Sequence, residues 1–343
     1  MRGLVSSQLE TIGLEALVVN TYHLMLEPSS ERIAEAGGIH SFMHWSHPVL
    51  SDSGGYQVFS LIHKHPELGK ITEDGAQFRS IIDGSKYTLT PERSIQIQFE
   101  LGVDMMVVLD DPRPNDVSDE EMHASVERTI FWAKRCRDEY DRQVKARNLD
   151  ETHRPLLFGV VQGGLVSDLR QHCARELAKL NFDGYGFGGR HVDAQGNFLE
   201  EILRVTAAAI PSDKLRFALG IGTPSDIVRC YELGWDMFDC VIPTREGRHG
   251  RLFVWNEQPE LQVTLAIRNS QPDNFYHTIN IRNEQFKKDD GKVDPTCDCL
   301  LCRDYTPSYL HHLFKVGEPL ALSLASEHNL RFYMRLIERL RAL

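Results

Sequence analysis

Met237-Phe-Asp-Cys-Val-Ile-Pro-Thr-Arg-Glu-Gly-Arg-His-Gly-Arg251 sets an apolar run against a cluster of cations. The run from Met237 to Ile242 reads as a buried strand that carries Asp239, and Pro243 stops it because proline cannot donate to a ladder. Arg245, Arg248, His249 and Arg251 follow, so a carboxylate stands beside groups that bind phosphate. Taken alone, the stretch is equally well a strand end whose Asp caps the next segment, with arginines on a wet loop. The rest of the chain has to decide.

Working outward, short apolar runs rich in β-branched residues alternate with longer amphipathic ones. The pattern predicts strands at Ala16 to Val19, Pro48 to Leu50, Met105 to Leu109, Leu156 to Val161, Gly184 to Phe187 and Arg216 to Leu219, besides Met237 to Ile242. It predicts helices at Ser118 to Ala146, Ser167 to Leu180, Leu199 to Ala208 and Pro224 to Leu233. Strand-then-helix order implies parallel strands joined by crossovers. Thr72 to Thr90 interrupts it with a hairpin turning at Asp83-Gly84. After each strand stand polar or glycine residues: Asn20 and His23, Asp52, Asp110, Gln162, Gly188-Gly189, Gly220 with Gly222, and Asp239. Buried strands ending in such residues on one side describe the mouth of an α/β fold of the (β/α)8 TIM-like barrel type. Seven strands are read where a closed barrel needs eight, so the barrel is expected to lack its first strand; a doubly wound open sheet fits the same periodicity. Residues 1–251 are expected to form the barrel with its mouth. Residues 252–343 are expected to hold an insertion, a zinc-binding subdomain and closing helices.

Bulk properties narrow the class. At 343 residues the chain can bury a sizeable core. No apolar run reaches the roughly 20 residues that span a bilayer, and the start lacks the pattern of a signal peptide, which predicts a cytoplasmic protein with no membrane contact. The net charge of −11 is unevenly spread: from Arg245 onward 14 Lys and Arg meet 13 Asp and Glu. A local basic surface is therefore compatible with an acidic chain.

Cys297, Cys299 and Cys302 lie within six residues, too close to pair with one another in strain-free disulfides. With one distant imidazole they complete a tetrahedral site with no open position, which is a structural zinc pattern. His311, His312 and His328 all lie downstream, and residue type does not choose between them. Two aspartates on separate strand ends, Asp52 and Asp239, suit double displacement at a sugar carbon, one as nucleophile and one moving protons. Asp52 opens Asp-Ser-Gly-Gly-Tyr56, where a glycine pair lets backbone approach a ligand and an aromatic can stack on a flat ring. The same stretch is also an ordinary turn. Asp110, Gln162 and the amides near Gly189 can hydrogen-bond the edge of a purine-like base.

Asn20-Thr-Tyr-His-Leu24, Asp52-Ser-Gly-Gly-Tyr-Gln-Val-Phe-Ser-Leu61, Val161-Gln-Gly-Gly164, Asp236-Met-Phe-Asp-Cys-Val-Ile-Pro-Thr-Arg245 and the Cys-x-Cys-x-x-Cys with its distant His closely resemble the tRNA-guanine transglycosylases. The likeness runs from about residue 5 to the C-terminus. It implies a zinc-stapled (β/α) barrel that exchanges guanine at the wobble position of a tRNA anticodon loop for a 7-deazaguanine base. Carried over by position, Asp239 attacks the ribose C1′ to give a covalent tRNA intermediate, and Asp52 is the acid/base. Asp110, Gln162 and the Gly189 backbone hold the base edge, while Tyr56 and Leu219 sandwich its ring. Arg245 and Arg248 contact nucleotides splayed from the anticodon loop. The resemblance selects His328 as the fourth ligand of a structural Zn2+, and it places Tyr305, Tyr309 and His312, with Phe42, at a homodimer contact.

The chain also departs from the bacterial pattern of that family. The family's first barrel strand precedes what is Met1 here. Arg190-His-Val-Asp193 stands where Leu-Ala/Ser-Val-Gly-Glu is usual, and Asp110-Asp-Pro-Arg113 replaces Asp-Glu-Cys-Thr. In the family the first of these loops meets the aminomethyl group of the incoming base, so a guanidinium there predicts a changed base preference. Val192 argues against queuine, whose users carry Gly. Some 20 residues between Trp255 and Ile279 look inserted, with Ala266-Ile-Arg-Asn echoing Asn280-Ile-Arg-Asn. The competing reading is a non-catalytic tRNA-binding accessory subunit that keeps fold and zinc. A zinc hydrolase barrel is weaker, because the metal ligands sit together late in the chain.

Overall fold

The structure, a computed structural model, describes residues 3–256 and 274–343. Ala266-Ile-Arg-Asn and most of the inserted stretch lie outside the described residues. The chain divides into two compact units that do not follow sequence order. The first is Ala16–Leu219 with Leu233–Met237; the second is Met1–Glu15, Gly220–Glu232 and Phe238–Leu343.

The first unit is built on parallel strands. β1 (Leu17–Asn20), β2 (Val49–Asp52), β6 (Met105–Val107), β7 (Leu156–Val161), β8 (Gly184–Phe187) and β9 (Leu215–Ala218) follow one another in the sheet, and β10 (Met237–Phe238) ends the order. Each pairing in the order from β1 to β9 is parallel, in the register Asn20↔Asp52 and Val161↔Phe187 at the strand ends. This is an incomplete (β/α) barrel with seven of its strands. The strands read as continuous apolar runs because helices cover them: β6 and β8 are buried at every position. Helix Asp119–Ala146 starts where the sequence expects it. Ser118 Oγ accepts from Glu121 N at 3.2 Å, and Asp119, Glu120 and Glu121 set negative charge against the positive helix end.

Two expectations change. The hairpin is the later part of a three-stranded antiparallel meander, β3 (Gly69–Thr72), β4 (Gly75–Arg79) and β5 (Lys86–Leu89). Asp83-Gly84 does turn it, with Gly84 at φ 75° and Asp83 Oδ2 accepting from Ser85 Oγ at 2.6 Å. The short run Gly-Lys-Ile-Thr of β3 carries too little alternation to announce itself. The second change is at Met237 to Ile242: the strand ends at Phe238, and Ile242–Arg248 is helical with Pro243 in its first turn. Proline fits there because its missing N–H has no intrahelical partner to lose. Arg245 and Arg248 therefore stand on a helix, not on a loop.

In the second unit β11 (Arg251–Trp255) pairs antiparallel with β12 (Tyr276–Asn280), and helices Leu300–Asp304, Pro307–Val316 and Leu320–Arg341 follow. Gly247 lets helix Ile242–Arg248 press its backbone onto the last helix, where a Cβ would stand 2.9 Å from the Ala325 carbonyl. Asn329, fully buried, staples these parts: Nδ2 donates to Pro243 O and Arg251 O at 2.9 Å, and Oδ1 accepts from Phe253 N at 3.1 Å. Among the described residues no helix is long and apolar enough to cross a membrane.

Candidate active site and metal centre

The carboxylates of the first unit stand where strands end. Asp52 closes β2 beside Asn20, which closes β1, and Asn20 Nδ2 donates to Asp52 Oδ2 at 2.7 Å. Asn20 Oδ1 accepts from His23 N, so one amide caps helix Thr21–Leu26 and orients the aspartate. The glycine pair after Asp52 serves the protein's own packing. Gly54 takes φ 86°, and a Cβ there would lie 2.9 Å from Tyr22 N; one on Gly55 would lie 3.0 Å from Asp110 O. The turn sets Tyr56 in the first turn of helix Gly55–Lys64 with 62% of its surface exposed, free to meet a ring.

Asp110 follows β6 and Gln162 follows β7. Gln162 Nε2 donates to Asp110 Oδ2 at 2.7 Å, and both side chains are buried. Burial, followed by the charges of Asp52 and Asp111, outweighs the Gln162 bond and pushes the Asp110 carboxyl up to about 7. Gly188 has to be glycine, since a Cβ would meet Gln162 Nε2 at 2.4 Å. Gly189 follows at φ 95°. Leu219, just after β9, packs over the face of Gly186, where a Cβ would come within 2.6 Å of Leu219 Cδ1. Asp111, beside Asp110, is fully buried and answered by Arg128 at 2.6 Å and Arg113 at 3.2 Å.

Asp239 belongs to the second unit, just past β10. Its Oδ1 accepts from Gly220 N at 2.8 Å, and burial raises its carboxyl while that N–H opposes the rise. Arg245 is half exposed, with Nε 3.5 Å from Glu246, and Arg248 closes the same helix.

Cys297, Cys299, Cys302 and His328 are all buried, and their four ligand atoms lie within 4.8 Å of one another. His328 Nε2 donates to Phe253 O at 2.8 Å, which leaves Nδ1 as the free lone pair; it faces Cys302 Sγ at 3.3 Å and Cys299 Sγ at 3.5 Å. A tetrahedral zinc with usual Zn–S and Zn–N lengths has S···N edges of about 3.5 Å, so the donor set fits a metal ion. The carbonyl behind the imidazole is the outer partner such a ligand needs. His311 is a core histidine instead, its Nδ1 on Ile281 O at 2.8 Å, and His312 is exposed.

Sequence reasoning noted Asn20 as a strand-end residue without a role, and the register Asn20↔Asp52 is what gives it one. Arg170 and Asn115, which touch the Gly188–Arg190 loop, carried no signal beyond helical and loop composition.

A family model described as queuine tRNA-ribosyltransferase matches residues 1–343. The queuine tRNA-ribosyltransferase of Psychrobacter cryohalolentis is 39% identical over 341 residues, covering 99% of this chain and 82% of the relative. That of Zymomonas mobilis is 40% identical over 342 residues, with 99% and 81% covered, and that of Pelotomaculum thermopropionicum 40% over 342, with 100% and 83%. With its strand order, its strand-end carboxylates and its buried Cys3His cluster, the chain belongs to the queuine tRNA-ribosyltransferase family, a family of pentosyltransferases.

Proposed function

We propose that this enzyme exchanges guanine in a tRNA anticodon loop for a 7-deazaguanine base by double displacement at ribose C1′. The observation that carries the reading is the Asp110–Gln162 pair with the Gly188-Gly189 turn. Guanine offers two kinds of donor, N1–H and the 2-amino group, next to one acceptor, its 6-oxo group. A buried carboxylate matches the donors, and backbone or side-chain N–H groups match the acceptor. Tyr56 and Leu219 supply faces for the ring.

In the first half-reaction the Asp239 carboxylate bonds to C1′ as the bond to guanine breaks, and Asp52 gives the departing base a proton. In the second half the incoming base returns a proton to Asp52, and its nitrogen displaces Asp239 from C1′. The Gly220 N–H on Asp239 favours the ionised form that a nucleophile needs, and the Asn20 amide orients Asp52 for its proton transfers. Arg245 and Arg248 bind backbone phosphates or splayed nucleotides of the loop. Zinc is the ion we assign to Cys297, Cys299, Cys302 and His328, because three soft thiolates with one imidazole suit it; it closes the fold there and takes no part in the exchange. The stacked rings of Tyr305 and Tyr309, 5.3 Å apart, with His312 and the exposed Phe42, form a homodimer contact. The reaction places the protein in the cytoplasm.

Incubation with tRNA followed by denaturing electrophoresis tests the chemistry. A covalent protein–RNA species should form with the wild-type chain and be absent with Asp239→Asn. Turnover without such a species would exclude the covalent route, and a chain that binds tRNA but turns over no base would be an accessory subunit.

A further inference from the structure

The loop after β8 is held by two side chains that the reaction as described does not use. Arg170, on helix Ser167–Ala178, is fully buried. Its Nε donates to Gly164 O at 2.8 Å, its Nη2 to Gly188 O at 3.1 Å and its Nη1 to Val161 O at 3.3 Å. The guanidinium lies over the Phe187 ring, 4.2 Å from its centroid, and among the described residues no carboxylate pairs with it. Burial pushes it down to about 9. A buried cation without a counter-ion is costly, and an apolar side chain would fill the volume at less expense. What the guanidinium adds is direction, because three fixed donors each require a carbonyl at a set angle.

Asn115 acts on the other flank. Its Nδ2 donates to Arg190 O at 3.3 Å, while its own Oδ1 is buried without a hydrogen-bond partner. The space that a Gly189 side chain would take is ringed by Arg170 Nη2 at 3.6 Å, with Asn115 Oδ1 and Gln162 Oε1 at 3.8 Å. A peptide unit is planar and trans, so a Gly188 carbonyl turned toward Arg170 sends the Gly189 N–H to the opposite side. Among the described residues that N–H meets no acceptor. Two successive glycines would otherwise let this peptide rotate.

We propose that Arg170 and Asn115 are positioning residues that lock the Gly188–Gly189 peptide so that its N–H is presented to the 6-oxo group of a guanine-type base. The inference rests on the base-edge role given above to Asp110, Gln162 and Gly189. It assigns the discrimination of the 6-oxo group to a backbone donor held in place from behind.

The test uses the full chain, with guanine and 2-aminopurine, which lacks the 6-oxo group, as competitive inhibitors of base exchange. Arg170→Lys keeps the charge but loses the three-way fork. It should raise the inhibition constant of guanine by about 10-fold, the worth of one lost hydrogen bond, and leave that of 2-aminopurine within about twofold. The base KM should rise likewise while kcat at saturating base holds. Asn115→Ala, at a half-buried position, should shift guanine about threefold in the same direction. If both inhibitors weaken together, or neither moves, the inference is overturned. A wild-type chain that does not bind guanine would bring down the base-edge reading as well, whereas wild-type discrimination that both variants retain would remove the inference alone.

Discussion

Asp110→Asn isolates the energetic cost of the base pocket. The carboxyl is pushed from its ordinary 3.8 up to about 7, by burial first and then by Asp52 and Asp111. Because the folded value lies above the unfolded one, the folded chain binds the extra proton between them, and stability falls as pH rises through that window. Integrating over the two values gives a loss of roughly 2 kcal/mol at pH 5 and roughly 4 kcal/mol at pH 8 relative to fully protonated Asp110, so on the order of 2 kcal/mol separates the two conditions. Asparagine is nearly isosteric, keeps an oxygen for Gln162 Nε2 and does not titrate, so Asp110→Asn should be spared that loss. Urea midpoints of both proteins at pH 5 and pH 8 read the difference, since titrating groups not coupled to Asp110 cancel between them. The asparagine variant should gain on the wild type by about 2 kcal/mol on moving from pH 5 to pH 8. It should also lose guanine binding, because an amide presents donors where the base does. Parallel pH profiles for the two proteins would refute the account, for they would mean that Asp110 ionises as an ordinary surface carboxyl.

Metal analysis of the purified chain should find about one zinc per polypeptide, lost in His328→Ala with a fall in thermal stability and kept in His311→Ala; retention of zinc by His328→Ala would reassign the fourth ligand. Arg190→Leu should favour an aminomethyl-bearing deazaguanine by roughly fivefold in kcat/KM, about 1 kcal/mol of relieved repulsion near the surface, and an unchanged ratio against guanine would place the guanidinium away from the substituent. Tyr309→Glu, at a ring 39% exposed, should convert a dimer to a monomer in sedimentation, and a wild-type chain that sediments as a monomer would end the dimer assignment.

How much of this was legible in the sequence follows from what kind of contact each feature makes. β7 and β8 begin and end where the apolar runs do, because a strand covered on both faces must be apolar at nearly every position. The Cys297, Cys299 and Cys302 spacing is local and needs no tertiary information. His328 is different: two other downstream histidines compete with it, and only folding shows that Phe253 O turns its Nδ1 toward the thiols while Ile281 O takes the Nδ1 of His311. Met237 to Ile242 misled because Val241 and Ile242 are β-branched. Pro243, taken as the end of a strand, in fact opens a helix, since the same residue type serves both positions.

The orienting groups were invisible for a further reason. Asn20 is found from the sequence only if β1 and β2 are already paired in register, because its bond to Asp52 spans 32 residues. Arg170 is harder still. An arginine that answers a carboxylate leaves a second charge in the sequence to be matched with it, as Arg128 does with Asp111. An arginine that answers carbonyl groups leaves nothing, since every residue carries one. Its helix reads as amphipathic whether the guanidinium faces water or, as it does, the ends of β7 and β8. Residue patterns thus point to groups that react and to groups that bind metal. A side chain whose work is to aim the backbone is found only where the carbonyls it holds can be seen.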